Sequence, residues 1–216
     1  MASAQPSSRL NPGASTPPAE RVSLGLRPAK LVCQNGEYIC LMRQVSALGI
    51  SLAFLHDVPS EPRIILQLAS GETFPIERIW LGKRQAGYRF AGTVSIDEFT
   101  AESPYGPQPL RLKLNASGSL TDGRVTSAVE LCEISRDAVT IVSAKRHLQA
   151  RMMRFEAEGL APQLGEIGWQ DGNRFGFAFQ HAISLEELAA CAAHLQPLGE
   201  PLPRGFAGLL TAVRAA

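Results

Sequence analysis

Histidine, cysteine and serine are the side chains in this sequence that could carry catalysis or hold a metal ion. The four histidines are scattered along the chain: His56, His147, His181 and His194. None has a nucleophile or a carboxylate at a spacing typical of a catalytic site. No serine-centred elbow, phosphate-binding loop or metal-binding motif occurs. The sequence therefore predicts that the protein is not an enzyme and has no catalytic residues and no metal site.

The four cysteines do not suggest a zinc site, since no two of them stand at the short spacing that zinc ligands use. Cys33 and Cys40 flank the dipeptide Asn35-Gly36, which predicts a two-residue hairpin turn. In that register the two cysteines are diagonal neighbours about 7–8 Å apart at Cα, which is beyond disulfide reach. All four thiols are therefore predicted to be reduced and mostly buried.

Composition and charge exclude several classes of protein. Hydrophobic residues make up 45% of the chain and the net charge is +1, so the basic excess of a nucleic-acid-binding protein is missing. The best apolar run, residues 45–55, is far shorter than the roughly 20 residues of a membrane span. Residues 1–19 lack the basic start and apolar core of a signal peptide. We expect a cytoplasmic protein with no nucleic-acid partner and no membrane span.

An internal repeat is the main signal in the sequence. The only two tryptophans, Trp80 and Trp169, stand 89 positions apart. The same offset joins further identical residues: Ser46 with Ser135, Glu77 with Glu166, Gly87 with Gly176, Phe90 with Phe179, Ser95 with Ser184, and Glu98 with Glu187. Near the start of each copy other offsets occur, 90 between Arg21 and Arg111 and 87 between Gly36 and Gly123. The shared register indicates a duplication.

Each copy is predicted to be a small closed β-barrel followed by a helix. About six short segments of alternating or β-branched residues, separated by glycine-containing turns, occur in each copy, and barrel closure removes their free edges. Ser95 and Ser184 each begin a Ser-x-x-Glu capping box that predicts a helix. Both tryptophans are expected to anchor barrel cores, because large aromatic side chains dominate such interiors. The predicted fold class is all-β, with two tandem six-stranded barrels.

Proline-rich stretches suggest the domain boundaries. The predicted segments are a disordered lead-in at 1–19, barrel 1 at 20–100, a linker at 101–109, barrel 2 at 110–196 and a tail at 197–216. Within the tail, residues 204–216 place Phe206, Leu209, Leu210 and Val213 at helical spacing. This pattern predicts a short helix whose apolar face packs on a barrel or on a partner.

The order of motifs in each copy resembles the PilZ family, bacterial barrels that bind the second messenger cyclic di-GMP. That family carries Arg-x-x-x-Arg ahead of the first strand, Asp/Asn-x-Ser-x-x-Gly at the third strand, and often a Trp strand followed by Gly-x-x-Phe. The first copy has Arg21, then Gln44-Val-Ser46-Ala-Leu-Gly49, then Trp80 and Gly87-Tyr-Arg-Phe90. The second has Glu133-Ile-Ser135-Arg-Asp-Ala138, then Trp169 and Gly176-Phe-Ala-Phe179. The resemblance covers about residues 20–195 and implies a bacterial signalling protein.

This resemblance implies a ligand site on barrel 1 made of Arg21, Gln44, Ser46 and Gly49. An arginine guanidinium forks onto guanine or phosphate oxygens, a short acidic or amide side chain accepts from guanine N–H groups, and glycine permits close approach. Barrel 1 departs from the motif at two points: Gln44 is a longer, neutral acceptor, and the first arginine would fall at Pro17. Arg27 is a candidate substitute at the wrong spacing.

Barrel 2 is predicted to be degenerate and not to bind, because Glu133 is long, Ala138 replaces the glycine, and no arginine motif precedes its first strand. Two functions from different classes remain open. In one, the protein is a cyclic di-GMP receptor or effector whose second barrel signals to a protein partner. In the other, neither barrel binds ligand and the protein is an adaptor acting through protein–protein contacts. No cofactor is expected apart from this ligand.

Overall fold

The alternating segments pair into closed barrels. One face of each strand then points into the barrel, where its apolar side chains are buried. The computed structural model describes residues 20–101, 108–145, 147 and 151–196. The strands of the first barrel are β1 Val22–Cys33, β2 Gly36–Ser46, β3 Gly49–Phe54, β4 Arg63–Gln67, β5 Thr73–Leu81 and β6 Gln85–Phe90. Those of the second are β7 Leu112–Asp122, β8 Val125–Ile134, β9 Ala138–Val142, β10 Met153–Ala157, β11 Leu160–Asp171 and β12 Arg174–Phe179. Helix α1, Asp97–Thr100, follows the first barrel, and α2, Leu185–Leu195, follows the second.

Both barrels are closed and share one topology. The strand order is β1-β2-β3-β6-β5-β4 in barrel 1 and β7-β8-β9-β12-β11-β10 in barrel 2, with antiparallel neighbours throughout. The predicted all-β fold, two tandem six-stranded barrels each followed by a helix, is therefore confirmed. The lead-in at 1–19, the tail and most of the linker lie outside the described residues, so the predictions for them stay predictions.

The offset of 89 runs through most of the strand pairing. Trp80 pairs with Gly87 and Trp169 with Gly176, each beside a bulge at the same place. The offset of 90 near the start has a local cause, since the bulge of β1 holds three residues between Ser23 and Arg27, whereas that of β7 holds two. Gly36 and Gly123, which are 87 positions apart, are not equivalent. Gly36 is the first residue of β2, whereas Gly123 lies in the turn between β7 and β8.

The hairpin turns fall one residue away from their predicted places. The β1–β2 turn was predicted at Asn35-Gly36, but Cys33 pairs with Gly36, which is already the first residue of β2. A Cβ on Gly36 would collide with the amide oxygen of Gln196, and its φ of 146° also favours glycine. The contact with Gln196 therefore requires a glycine at position 36. The second hairpin, predicted to turn at Asp122-Gly123, turns one residue later at Gly123-Arg124, because Asp122 pairs with Val125.

The prediction that the tryptophans anchor the barrel cores is wrong. Trp80 is 45% exposed and Trp169 44% exposed. Each indole lies against the Cα of its cross-strand glycine on the outer surface of the barrel. The interiors are filled by aliphatic side chains and by several other aromatic ones, among them Tyr88 in barrel 1 and Phe177 in barrel 2.

Only one of the two predicted capping boxes forms. Ser184 accepts a hydrogen bond from the backbone of Glu187, whose carboxylate accepts one from Ser184 in return, and α2 follows. At α1 the residue before the helix is Ile96, and no side chain caps it. Ser95 therefore does not begin a helix, and α1 has one turn only.

Strand β2 of barrel 1 packs against barrel 2. Ile39 lies in the hydrophobic core of barrel 2 although it belongs to barrel 1. Its neighbour Glu37 is buried, forms a 3.0 Å ion pair with Lys30 and accepts a 2.8 Å hydrogen bond from the backbone N–H of Lys113. The side-chain amide of Gln196, at the end of α2, accepts from the N–H of Glu37 and donates to its carbonyl.

Among the described residues, no helix has the length and hydropathy that crossing a bilayer requires.

Candidate ligand-binding site

An open pocket of about 460 Å³ lies on the outer face of barrel 1, and its volume is in the range typical of small-molecule sites. It contains all four residues predicted for the ligand site, contributed by the segment before β1 and by β2 and β3. They are Arg21, Gln44, Ser46 and Gly49. Further polar and aromatic lining comes from strands β2, β3, β5 and β6: Arg43, Ser51, Trp80, Gln85 and Arg89.

Ser46 and Gly49 build the turn between β2 and β3. The hydroxyl of Ser46 accepts from the N–H of Gly49 and donates to its carbonyl, both at 3.2 Å. A Cβ on Gly49 would lie 2.6 Å from the backbone oxygen of Tyr88 on β6, so glycine also allows the two strands to approach. Ser135 makes the same turn bonds to Ala138 in barrel 2. The serine of this motif thus has a structural role in both barrels.

Three arginines give the pocket its positive charge, and no carboxylate of the described residues lines it. Arg21 is exposed and has no hydrogen-bond or ion-pair partner among the described residues. Arg43 donates to the side-chain oxygen of Gln85 across the pocket. Arg89 is held by Glu77, which lies outside the pocket.

Glu77 bridges two arginines. Its carboxylate receives 3.0 and 2.5 Å hydrogen bonds from Arg89 and 3.2 and 3.3 Å bonds from Arg63. The hydrogen bonds from Arg89 and Arg63 lower the pKa of the Glu77 carboxyl from its usual value. The guanidinium of Arg89 is therefore fixed in orientation at the pocket edge, and Glu77, which it shares with Arg63, offsets part of its charge.

Arg27 does not substitute for the missing first arginine of the motif. Its guanidinium donates 3.1 Å hydrogen bonds to the carbonyls of Phe99 and Thr100 at the end of α1. These carbonyls have no intrahelical partners, and a cation is favoured there. Arg27 is not among the residues that line the pocket. Pro17, where the motif places the first arginine, lies outside the described residues.

Trp80 supplies the aromatic surface of the pocket. Its indole rests on Gly87, and part of the ring remains open to solvent. A planar base can stack on such a ring, and base–aromatic stacking contributes about 1–3 kcal/mol per base. The pocket therefore combines cationic forks, amide and hydroxyl groups, and an aromatic face.

Barrel 2 does not have this combination at the equivalent positions. Where Arg43 and Arg89 stand in barrel 1, barrel 2 has Cys132 and Ala178. It has acidic residues, Glu133 and Asp137, where barrel 1 has Gln44 and Leu48. With Arg111 and Arg174 as the cations of this face, its charges cancel, whereas the pocket of barrel 1 carries three arginines.

Sequence reasoning found four of the pocket residues but missed Arg43, Arg89 and the role of Trp80. A signal for Arg89 was present, since Tyr88 and Phe90 are inward-facing residues of β6 and the residue between them must face outward. Arg43 is exposed beside Gln44 because a bulge between Met42 and Gln44 breaks the alternation of β2. No local pattern in the sequence marks that bulge.

Fold and pocket define a tandem β-barrel protein with a basic, aromatic-lined pocket on one barrel. It is similar to the PlzA protein of Borreliella burgdorferi, solved in complex with c-di-GMP, at 11% identity and a TM-score of 0.33 over 77% of this chain and 87% of that one. It is similar to the inhibitor of motility MotI/DgrA of Bacillus subtilis at 7% identity and a TM-score of 0.33 over 76% and 91%. For YcgR of Escherichia coli, also solved with c-di-GMP, the values are 12% and 0.30 over 87% and 85%.

No family model matches the chain, and no curated protein matches it. The identities and TM-scores of the solved structures are too low to carry a function across to this chain. Among the described residues, no group of three or more His, Cys, Asp and Glu side chains is placed to hold a metal ion. A functional proposal for this chain therefore rests on the residues that line the pocket of barrel 1.

Proposed function

We propose that this protein is a receptor for cyclic di-GMP and that the ligand binds in the pocket of barrel 1. The observation that supports the proposal is the convergence of Arg21, Gln44, Ser46 and Gly49 with an open tryptophan face in one basic pocket. These residues come from three separate parts of barrel 1. Barrel 2, which has the same fold, does not have this combination.

The chemistry of the pocket suits a cyclic dinucleotide. Arg21 and Arg43 offer guanidinium forks for phosphate oxygens or for the O6/N7 edge of guanine. Gln44 and Ser51 offer an amide and a hydroxyl to the base edges, and Trp80 offers a stacking face. The positive charge of the pocket matches the two phosphates of the ligand. Binding requires Arg43 to exchange its hydrogen bond with Gln85 for one to the ligand.

Calorimetric titration of the full chain with cyclic di-GMP tests the proposal. Arg21→Ala removes the guanidinium that has no partner among the described residues, and loss of one charge-assisted hydrogen bond of about 1.5–3 kcal/mol weakens binding roughly tenfold to hundredfold. Arg111→Ala, at the equivalent place in barrel 2, is the matched control and leaves binding unchanged. Tight binding that survives Arg21→Ala refutes the site.

A second candidate function is supported by the contacts within the pocket. The hydroxyl of Ser46 is engaged by Gly49, and Arg43 and Arg89 already have partners within the protein. Each of these residues is thus explained without a ligand, as expected of an adaptor that works through protein–protein contacts. Absence of cyclic di-GMP binding by the wild-type chain and by Gln44→Asp would favour the adaptor.

A further inference from the structure

The end of the β5–β6 hairpin, residues 79–85, exposes three consecutive large apolar side chains. Ile79 is 61% exposed, Trp80 45% and Leu81 60%. The bulge between Arg78 and Trp80 leaves Ile79 without a cross-strand partner, so the alternation of β5 does not turn it inward. Nothing among the described residues covers this surface, which we call the hairpin tip.

Cations accompany the apolar residues of the hairpin tip. Lys83 and Arg84, in the turn, are exposed, and no acidic residue occurs in residues 79–85. Arg21 and Arg43 line the pocket that Ile79 and Trp80 border, so they add positive charge on the same side of the barrel. The backbone of the tip is fixed by 2.7 and 3.0 Å hydrogen bonds, from Gly82 to the carbonyl of Gln85 and from Phe54 to that of Arg84.

Barrel 2 provides an internal comparison, because its hairpin β11–β12 has the same bulge and the same register. At the equivalent positions, 168–174, the sequence is Gly-Trp-Gln-Asp-Gly-Asn-Arg. This hairpin has one large apolar residue instead of three, and the charges of Asp171 and Arg174 cancel. The fold therefore does not require apolar and cationic residues at this place, and their presence in barrel 1 calls for another cause.

We propose that the hairpin tip docks barrel 1 on an anionic lipid surface. Tryptophan, leucine and isoleucine side chains enter the boundary between headgroups and acyl chains, while lysine and arginine attract anionic headgroups. A hairpin tip with cations beside its apolar residues suits a bilayer, because apolar acyl chains lie directly below the layer of headgroup phosphates. A protein partner would instead need a groove that matches the shape of the tip. The net charge of +1 for the chain hides this local concentration of positive charge.

Co-sedimentation of the full chain with vesicles, without cyclic di-GMP, tests the proposal. Vesicles of equal parts phosphatidylcholine and phosphatidylserine bind the protein, pure phosphatidylcholine vesicles bind it much more weakly, and added salt weakens the binding. Because the assay contains no nucleotide and Leu81, Lys83 and Arg84 do not line the pocket, its failure would leave the cyclic di-GMP proposal standing.

Variants that import the residues of barrel 2 locate the contact. Leu81→Gln weakens vesicle binding about fivefold or more, through lost apolar insertion. Lys83→Gly combined with Arg84→Asn weakens it about 25-fold, at roughly fivefold for each cation. Val125→Thr, at a barrel 2 side chain that is 60% exposed, is the matched control and leaves binding unchanged.

Tryptophan fluorescence provides a second readout, since the chain has two tryptophans in equivalent places. In Trp169→Phe the remaining Trp80 shifts its emission to the blue when anionic vesicles are added. In Trp80→Phe the emission of Trp169 does not shift. Absence of binding to phosphatidylserine vesicles at low salt, binding unaffected by both hairpin variants, or a shift confined to Trp169 would overturn the proposal. Binding of the tip to an acidic protein but not to vesicles would overturn it as well.

Discussion

The indole of Trp80 lies so closely on Gly87 that a Cβ on this glycine would be 1.8 Å from the indole nitrogen, and Trp169 and Gly176 repeat the arrangement. In each pair the two residues are cross-strand partners next to a bulge. A glycine weakens a β-strand because it has no side chain to pack. An aromatic side chain lying over the glycine compensates by burying apolar surface against it. The contact explains why both tryptophans lie outside the barrels.

Gly87→Ala is expected to displace the indole of Trp80 and to lower the free energy of unfolding by about 1–3 kcal/mol, since the added methyl group overpacks the contact. Gly176→Ala does the same to Trp169. Denaturant unfolding followed by tryptophan emission measures both effects. Gly92→Ala is the control, because a Cβ there meets no atom within 4 Å. Equal stabilities of all three variants would contradict the expectation.

Gln44→Asp is expected to strengthen cyclic di-GMP binding. A shorter, charged acceptor accepts more strongly from guanine N–H groups, as in the motif of the PilZ family that the sequence resembles. A charge-assisted hydrogen bond contributes about 1.5–3 kcal/mol. Calorimetric titration compares the variant with the wild type. Glu133→Asp, the same change of length in barrel 2, leaves binding unchanged. Weaker binding by Gln44→Asp would show that Gln44 does not contact the ligand as proposed.

The buried ion pair of Lys30 and Glu37 between the barrels is expected to be critical for stability. Lys30→Met leaves the carboxylate of Glu37 buried beside barrel 2 without its cation, which costs about 3–5 kcal/mol. Arg154→Met breaks the exposed pair with Glu156, which contributes less than about 1 kcal/mol. Denaturant unfolding of the two variants measures the difference. Equal, small losses would mean that water reaches Glu37 and that the barrels separate easily.

Ser184→Ala is expected to lower the free energy of unfolding by about 0.5–2 kcal/mol, because it removes the hydrogen bond that caps α2. Ser95→Ala, which removes the same residue type from the same motif in barrel 1, has little effect, since no side chain caps α1. Thermal unfolding of both variants makes the comparison. A larger loss for Ser95→Ala would contradict the assigned caps.

The duplication and the strand content could be predicted from the sequence alone. The offset of 89 could be read without structure because equivalent positions of two copies of one barrel face equivalent surroundings. The resemblance to the PilZ family implied that Arg21, Gln44, Ser46 and Gly49 lie together, and all four line one pocket. The capping box at Ser184 is local, so it needed no tertiary information.

Other features depend on contacts between residues that are distant in sequence, so only the folded structure shows them. Gln196 at the end of α2 leaves room only for glycine at position 36, because its side-chain amide occupies the place that a Cβ there would need. Barrel 2 buries Glu37 and Ile39, which in an isolated barrel 1 would face solvent. A one-residue bulge turns Arg43 toward the pocket. Such contacts are set by packing between elements, which the periodicity of a single strand does not encode.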